Sequence, residues 1–173
     1  MKQVCKHSLS RRIIAMLLVV MAMASVVCVS AFAANDDDGT KDSHFNNFTV
    51  KGSATSYTAF NSDDARIKHN DSAMYLYITG ATQESYYVRA LGSSSKKGSY
   101  GNYTCVNARY VDHVTCKRYT QYEVHSFIFE DVIRPDNVNP YAKFSFASPY
   151  SVSSWITGAW SPDCGGNYTD ATT

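Results

Sequence analysis

The sequence lacks the short motifs by which catalytic and cofactor sites are usually recognised. A calcium loop is the nearest approach, at residues 36–39 (DDDG). Taking Gly39 as the sixth position of such a loop puts Ala34 at the first position and Phe45 at the twelfth, where oxygen ligands are required. The pattern fails as a calcium loop, and a solvated acidic segment explains it. We predict a protein that is not an enzyme, has no catalytic residues and needs no cofactor.

Closely spaced metal ligands are also missing. No two cysteines have the Cys-x-x-Cys spacing that marks a zinc site. The residue types of a zinc site are present but scattered, at Cys105, His113, Cys116, His125 and Cys164. We therefore predict no metal site, and we interpret these residues as structural cysteines and surface histidines.

Residues 1–33 have the three parts of a secretory signal peptide. Four basic residues precede residue 13, an apolar stretch covers residues 13–29, and the sequence AFA ends at Ala33. We predict cleavage after Ala33 and a secreted, extracellular product that meets the membrane only through the signal before cleavage. An uncleaved anchor is the alternative, because the apolar stretch could nearly span a bilayer.

A basic excess is absent once this signal is set aside. Of the 16 lysines and arginines, 12 remain against 15 acidic residues, which gives a net charge of −3. A domain that binds nucleic acid is expected to present a basic face. We therefore exclude nucleic acid as a partner.

Helical periodicity is missing after the signal, whereas strand patterns recur. Between Met74 and Ile78, three aliphatic residues alternate with Tyr75 and Tyr77. Short strands separated by clusters of Gly, Ser, Asn and Asp favour an all-β fold, either an antiparallel β-sandwich or a small barrel. We predict strands at residues 45–51, 65–68, 73–79, 86–91, 103–110, 119–129, 141–147 and 152–160.

The composition also predicts where the folded domain begins and ends. Residues 34–43 are polar and acidic and are predicted to form a flexible leader. The β-sandwich is assigned to residues 44–163. Residues 164–173 resemble the leader in composition and are predicted to form a flexible tail.

Three cysteines follow the signal, so an oxidising environment would leave one of them unpaired. Cys105 and Cys116 are close in sequence and flank a predicted turn, which favours a disulfide between them. Pairing of either one with Cys164 and the absence of any disulfide are the alternatives. In the favoured arrangement Cys164 is the unpaired thiol.

Aromatic residues are plentiful, with 13 tyrosines, eight phenylalanines and two tryptophans. Tyr75, Tyr77, Trp155 and Trp160 are our candidates for binding, because exposed rings can stack on sugars or anchor a protein partner. The alternative is that these rings belong to the core or to cross-strand pairs.

Three segments carry a resemblance to a known group of proteins. They are residues 45–50 (FNNFTV), 68–75 (KHNDSAMY) and 158–163 (GAWSPD). Together with the export signal, they resemble small secreted proteins of Gram-positive gut clostridia and their relatives, whose function is unknown. The Gly-x-Trp-Ser-Pro-Asp motif is the most specific part, although those proteins usually continue with Ser where this chain has Cys164. The resemblance implies an extracellular β-rich domain and assigns no active site.

Two functional hypotheses follow from these observations. The first is a non-enzymatic extracellular module that binds an envelope or host glycan or a protein partner. The second is a bacteriocin-like antagonist of neighbouring bacteria, because the lactococcal type of secreted bacteriocin is also a small β-sandwich.

Overall fold

Alternating apolar residues build two β-sheets whose apolar faces pack together. The computed structural model describes residues 42–132 and 139–173. The predicted signal peptide, its cleavage after Ala33 and the leader up to residue 41 lie outside the described residues. The strands are Ser43–Val50 (β1), Thr58–Ala59 (β2), Arg66–Ile67 (β3), Met74–Ala81 (β4), Ser85–Ser93 (β5), Gly101–Asn102 (β6), Cys105–Val106 (β7), Arg109–Tyr110 (β8), Val114–Lys117 (β9), Gln121–Val124 (β10), Tyr141–Ala147 (β11), Ser154–Ser161 (β12) and Thr169–Asp170 (β13).

The first sheet has the strand order β1-β12-β4-β10-β13 and is antiparallel except where β10 and β13 run parallel. In the second sheet, β5 pairs with β11 at the centre. Strands β2 and β3 both pair with β11, β6 and β9 both pair with β5, and β7 and β8 form a separate hairpin. Among the described strands neither sheet closes on itself, so the predicted all-β sandwich is confirmed.

Aromatic rings hold the two sheets together. Trp160 on β12 packs against Phe60 and Phe144, with ring centroids 5.7 Å apart in both pairs. Phe146 on β11 packs against Phe60 at 5.2 Å. Replacing a buried ring of this kind by alanine costs about 3–5 kcal/mol in typical cores. The inner faces of both sheets are thus buried in the core. Residues that bind a partner must therefore lie on the outer faces or at the edges of the sheets.

Two β-bulges distort the first sheet beside Gly158. The register shifts once between β1 and β12 and once between β12 and β4. Asn47 has a left-handed φ of 49° in the first bulge. Its backbone N–H donates to Thr157 Oγ1 at 3.0 Å, and that hydroxyl donates to Asn46 Oδ1 at 3.0 Å. The bulges bring the neighbouring backbones so close to Gly158 that a larger residue has no room there.

A buried ion pair joins the segment before β4 to the segment after β12. Lys68 and Asp163 are 0% and 1% exposed, and Lys68 Nζ lies 3.0 Å from Asp163 Oδ1. The same ammonium group donates to the backbone oxygens of Ser72 and Pro162. The backbone N–H of His69 donates to Asp163 Oδ2 at 2.8 Å. The three acceptors around Nζ match the three N–H bonds of a lysine ammonium group.

The two charges of this pair depend on each other. Burial lowers the pKa of Lys68, and the carboxylate of Asp163 acts in the opposite direction. Removing either partner would leave the other charge buried without its counterion, which is far more costly than losing an exposed pair.

Two predicted strands are interrupted in the structure. Residues 103–110 contain β7 and β8, because Asn107 and Ala108 adopt left-handed φ angles of 50° and 59° and form the turn between them. The predicted strand at 119–129 ends as β10 at Val124, and a helical turn, Ile128–Asp131 (α1), follows. A further short helical turn covers Ser62–Asp64, and neither helical segment of the described residues is long or apolar enough to cross a membrane.

The C-terminal segment differs from the predicted flexible tail. It contains β13, and Ala171 is buried in the core. The backbone N–H of Ala171 donates to Glu123 O at 2.9 Å, and that of Thr115 donates to Thr172 O at 2.8 Å. The paired segment is so short that no alternation of apolar and polar residues marks it in the sequence.

The predicted disulfide between Cys105 and Cys116 is not formed. Both thiols are free and buried, and Cys164 is free and half-buried. Cys105 lies opposite Tyr110 in the β7–β8 hairpin, whereas Cys116 lies opposite Tyr86 in the second sheet. The turn assumed in the prediction would have paired these cysteines with each other. The actual turn lies earlier in the chain, at Asn107 and Ala108, and it places the two cysteines on strands that do not pair with each other.

Candidate functional site

The four aromatic residues predicted for binding lie in different environments. The structure corrects the prediction for Trp160 and Tyr75, which are 2% and 6% exposed. Trp160 points into the core, and Tyr75 is on the outer face but is covered by the ring of Tyr168, with centroids 4.8 Å apart. Trp155 is 45% exposed on the outer face. Tyr77 is half-buried and borders a groove.

This groove, which we call the tyrosine groove, lies on the outer face of the first sheet and has a volume of about 450 Å³. It is lined by three tyrosine rings and four uncharged polar side chains. The lining residues are Tyr77, Tyr119, Thr120, Gln121, Asn167, Tyr168 and Thr169.

Three elements bring the lining residues together. Tyr77 projects outward from β4 because Leu76 and Ile78 on either side of it point into the core. Gln121 on β10 is its direct cross-strand partner. The turn before β10 supplies Tyr119, and the segment around β13 supplies the opposite wall.

Tyr119 has an unusual backbone for a bulky residue. Its φ is 64°, in the left-handed region that favours glycine. The conformation is held by a hydrogen bond from its N–H to Ile78 O at 2.8 Å, and the ring remains 64% exposed. The guanidinium of Arg118 lies 5.3 Å from the ring centroid. The fold thus keeps a strained residue in place while its ring faces solvent.

Two contacts position Tyr168 in the wall of the groove. Its backbone N–H donates to Glu123 Oε1 at 2.8 Å. Its ring packs on Tyr75, and burial raises the pKa of Tyr75 to about 12. Burial beneath this ring therefore keeps Tyr75 protonated to a higher pH than an exposed tyrosine.

The raised pKa of Tyr75 predicts a loss of stability in alkali. In the unfolded chain its phenol ionises near pH 10, so between about pH 10 and 12 the unfolded state has released a proton that the folded state still holds. The free energy of unfolding should therefore fall as the pH rises through this window. Urea unfolding at about pH 9, 10 and 11 measures the fall. It should be smaller in Tyr75→Phe, and an equal fall in both proteins would contradict the assignment.

A second cluster contains the ligand types of a metal site. Glu123, His125 and Asp170 each offer one ligand atom, and these atoms lie within 4.8 Å of one another. His125 Nε2 lies 3.2 Å from Asp170 Oδ1 and 4.0 Å from Glu123 Oε2. His125 and Asp170 also line a cleft of about 370 Å³.

The outer face of the second sheet carries a network of charges and rings. Arg89 pairs with the carboxylate of Asp112, and its guanidinium lies 3.5 Å above the ring of Tyr57. His113 Nδ1 lies 3.0 Å from the second carboxylate oxygen, and this hydrogen bond lowers the pKa of Asp112. Because these charged groups already contact each other, the network has less capacity for a ligand than the tyrosine groove.

The chain matches a family described as "Protein of unknown function (DUF2712)" over residues 29–164. It therefore belongs to this family. The DUF2712 match includes Tyr77 and Tyr119 and ends at Cys164, before Tyr168 and Asp170. No curated protein and no solved structure matches the chain. Membership of DUF2712 establishes the family and leaves the function to be argued from the site.

The sequence predicted only Tyr77 among the groove residues. Tyr119 was placed at the start of a predicted strand, and Tyr168 in a predicted flexible tail. Asp170 was missed as a member of the cluster with Glu123 and His125 for the same reason, since it meets Glu123 only through the parallel pairing of β13 with β10. The spacing of Glu123 and His125, two residues apart beside β10, was the one available signal.

Proposed function

We propose that the protein is an exported, non-enzymatic module that binds a neutral polysaccharide in the tyrosine groove. The observation that carries this proposal is the lining of the groove, three tyrosine rings beside uncharged amide and hydroxyl side chains. The export part of the proposal rests on the signal pattern of residues 1–33.

The chemistry of the lining matches a sugar polymer. A pyranose ring has an apolar face that stacks on an aromatic ring, and hydroxyl groups around its edge that require donors and acceptors. Gln121 and Asn167 offer both a carbonyl oxygen and an NH₂ group, and Thr120 and Thr169 offer hydroxyl groups. A lining without charged side chains favours a neutral chain over an anionic one.

The shape of the site supports a polymer rather than a small compact ligand. The groove is shallow and lies along the outer face of a sheet, between the turn before β10 and the segment around β13. Tyr119 and Tyr168 are both substantially exposed, so a chain could pass across their rings without closure of the protein.

The backbone of Tyr119 supports a binding role for its side chain. A left-handed conformation costs a residue with a Cβ atom about 1–2 kcal/mol, and glycine would avoid that cost. Strained residues of this kind concentrate at functional sites, where the surrounding structure holds them.

Tyr119→Gly should therefore separate stability from binding. We expect the free energy of unfolding to be unchanged or to rise by up to about 1 kcal/mol, because glycine relieves the left-handed strain but has more freedom in the unfolded chain. We expect affinity for the bound polysaccharide to fall about tenfold, because one stacking ring is lost. A glycan array with neutral and anionic polymers, together with retention on purified peptidoglycan, measures the binding.

Tyr150→Ala is the matched control, since Tyr150 is an exposed tyrosine outside the groove. It should leave retention unchanged. Trp155→Ala tests the other exposed ring on the same outer face. Equal retention by wild type and Tyr119→Gly, loss of retention in Trp155→Ala alone, or failure of the wild type to bind any neutral polymer would overturn the proposal.

A further inference from the structure

We propose that Glu123, His125 and Asp170 form a binding site for one zinc ion at the edge of the first sheet. The site is assembled by strand geometry. Glu123 and His125 are two residues apart, so their side chains project from the same face of the chain at the end of β10. Asp170 is the direct partner of Glu123 in the parallel pairing of β13 with β10.

The distances in the cluster suit a metal ion. Zinc bonds of about 2.0–2.1 Å in tetrahedral geometry place neighbouring ligand atoms about 3.3 Å apart. The 3.2 Å between His125 Nε2 and Asp170 Oδ1 agrees with this spacing. Glu123 Oε2 lies 4.0 Å from the same nitrogen, about 0.7 Å beyond this spacing.

Two carboxylates approach one imidazole nitrogen in this cluster. The carboxylates of Glu123 and Asp170 converge on the same ring nitrogen, His125 Nε2, which carries at most one N–H. A divalent cation between the three groups would serve all of them and would neutralise both carboxylates. The convergence of two acceptors on one imidazole nitrogen therefore distinguishes this cluster from an ordinary exposed ion pair.

The ligands are held by contacts outside the cluster. Glu123 Oε1 accepts the N–H of Tyr168, which leaves Oε2 directed toward His125. The backbone oxygens of Glu123 and His125 accept the N–H groups of Ala171 and Cys105, at 2.9 and 3.0 Å. The contact to the Glu123 carboxylate is of the kind that orients a metal ligand and raises affinity, and the two backbone bonds hold the strands that carry the ligands. The adjoining cleft of about 370 Å³ gives room for water to complete the coordination.

The donor set selects the class of metal. One imidazole nitrogen with two carboxylate oxygens suits zinc and similar transition metals. Calcium and magnesium prefer sites built from oxygen ligands alone. We therefore expect zinc to bind in the presence of excess calcium.

The site would also act on the tyrosine groove, and this part of the inference rests on the proposed function. β13 joins the sheet through two residue pairs, and Asp170 belongs to one of them. Tyr168 lies next to β13 and is tied to Glu123 by the hydrogen bond from its N–H. Zinc would fasten β13 to β10 and fix Tyr168 in the wall of the groove.

Equilibrium dialysis of zinc against the full chain, followed by metal analysis, tests the site without any glycan. We expect one zinc per chain in wild type. His125→Ala and Asp170→Asn should each weaken binding by at least about 100-fold, since loss of a direct ligand exceeds the loss of a supporting contact. Both residues are exposed, so the variants should fold, and circular dichroism checks this.

His113→Ala is the matched control, because His113 is also paired with a carboxylate but has no third metal-ligating group beside it among residues 42–132 and 139–173. It should bind zinc as wild type does. Cys164→Ser tests whether the thiol beside the Glu123 carboxylate holds the ion in place of His125, and we expect it to bind zinc within a few fold of wild type. Absence of zinc binding, or binding that survives His125→Ala but is lost in Cys164→Ser, would overturn the inference.

Chelation separates the two proposals. If zinc fixes Tyr168, removal of zinc should lower retention on the neutral polysaccharide, and Asp170→Asn should lower it without any chelator. Zinc binding with no retention on any glycan would overturn the proposed function and leave the zinc site supported. Retention that is the same with and without zinc would overturn the link between them.

Discussion

Lys68→Met is expected to lower the free energy of unfolding by about 3–5 kcal/mol, which is the usual cost of removing one partner from a buried ion pair. The substitution keeps most of the apolar volume of the side chain and deletes only the ammonium group. The carboxyl group of Asp163, 1% exposed, would then be buried without a counterion. Urea unfolding of wild type and variant measures the difference.

The controls isolate the buried charge from other effects. Lys117→Met removes an exposed ammonium group and should change stability by no more than about 0.5 kcal/mol. The double variant Lys68→Met, Asp163→Asn removes both charges but keeps a side-chain oxygen for the backbone N–H of His69, so it should be clearly more stable than Lys68→Met alone. If Lys68→Met proves as mild as Lys117→Met, the pair does not stabilise the fold in the way we describe.

Gly158→Ala should be similarly damaging, at about 3 kcal/mol or more. A Cβ atom at this position would overlap the backbone oxygen of Tyr77 and would lie 2.8 Å from Phe45 Cζ. Backbone atoms in the middle of a sheet cannot move aside as a flexible side chain can, so the strain is expected to exceed ordinary overpacking. Thermal and urea unfolding should both show the loss.

Gly80→Ala provides the comparison within the same pair of strands. Its added Cβ would meet Trp155 Cζ3 at 3.5 Å and Thr157 Cβ at 3.7 Å, which are ordinary contacts. We expect no loss there and a gain of up to about 1 kcal/mol, because alanine restricts the unfolded chain. Equal effects at the two glycines would show that the close approach at Gly158 does not limit the fold.

The contacts behind these two predictions account for the Gly-x-Trp-Ser-Pro-Asp motif at residues 158–163. Gly158 permits the close approach of strands, and Trp160 fills the core. The hydroxyl of Ser161 donates to Asp163 O at 2.8 Å, and Pro162 O accepts from the buried lysine. The residues of the motif therefore stabilise the packing of the sandwich, and they do not line the tyrosine groove or the metal-ligand cluster.

The strands with clear alternation were predictable, and the irregular ones were not. The predicted strand at residues 141–147 coincides with β11, because Ala142, Phe144 and Phe146 alternate with other residues along it and it pairs on both sides. The hairpin turn at Asn107 and Ala108 lacks the Asn-Gly sequence that favours left-handed pairs. β13 has only two residues, which is too short for any periodicity to show.

The candidate sites depended on contacts that no local pattern encodes. The tyrosine groove unites β4, the turn before β10 and the segment around β13, which are about 40 residues or more apart in sequence. Alternation placed Tyr77 correctly on an outer face, but it also placed Tyr75 there without revealing that Tyr168 covers it. Trp160 is a candidate on its ring chemistry alone, and it lies in the core because it shares a strand face with the buried Ile156.

The most direct test of the binding proposal is nuclear magnetic resonance of the isotopically labelled protein, titrated with the neutral oligosaccharide that the array retains best. We predict that amide shifts concentrate at Tyr77, Tyr119, Gln121 and Tyr168, and that Tyr119→Gly reduces them. Shifts centred on Trp155 or on the Arg89–Asp112 network, or no shifts at saturating sugar, would contradict the assignment of the tyrosine groove as the binding site.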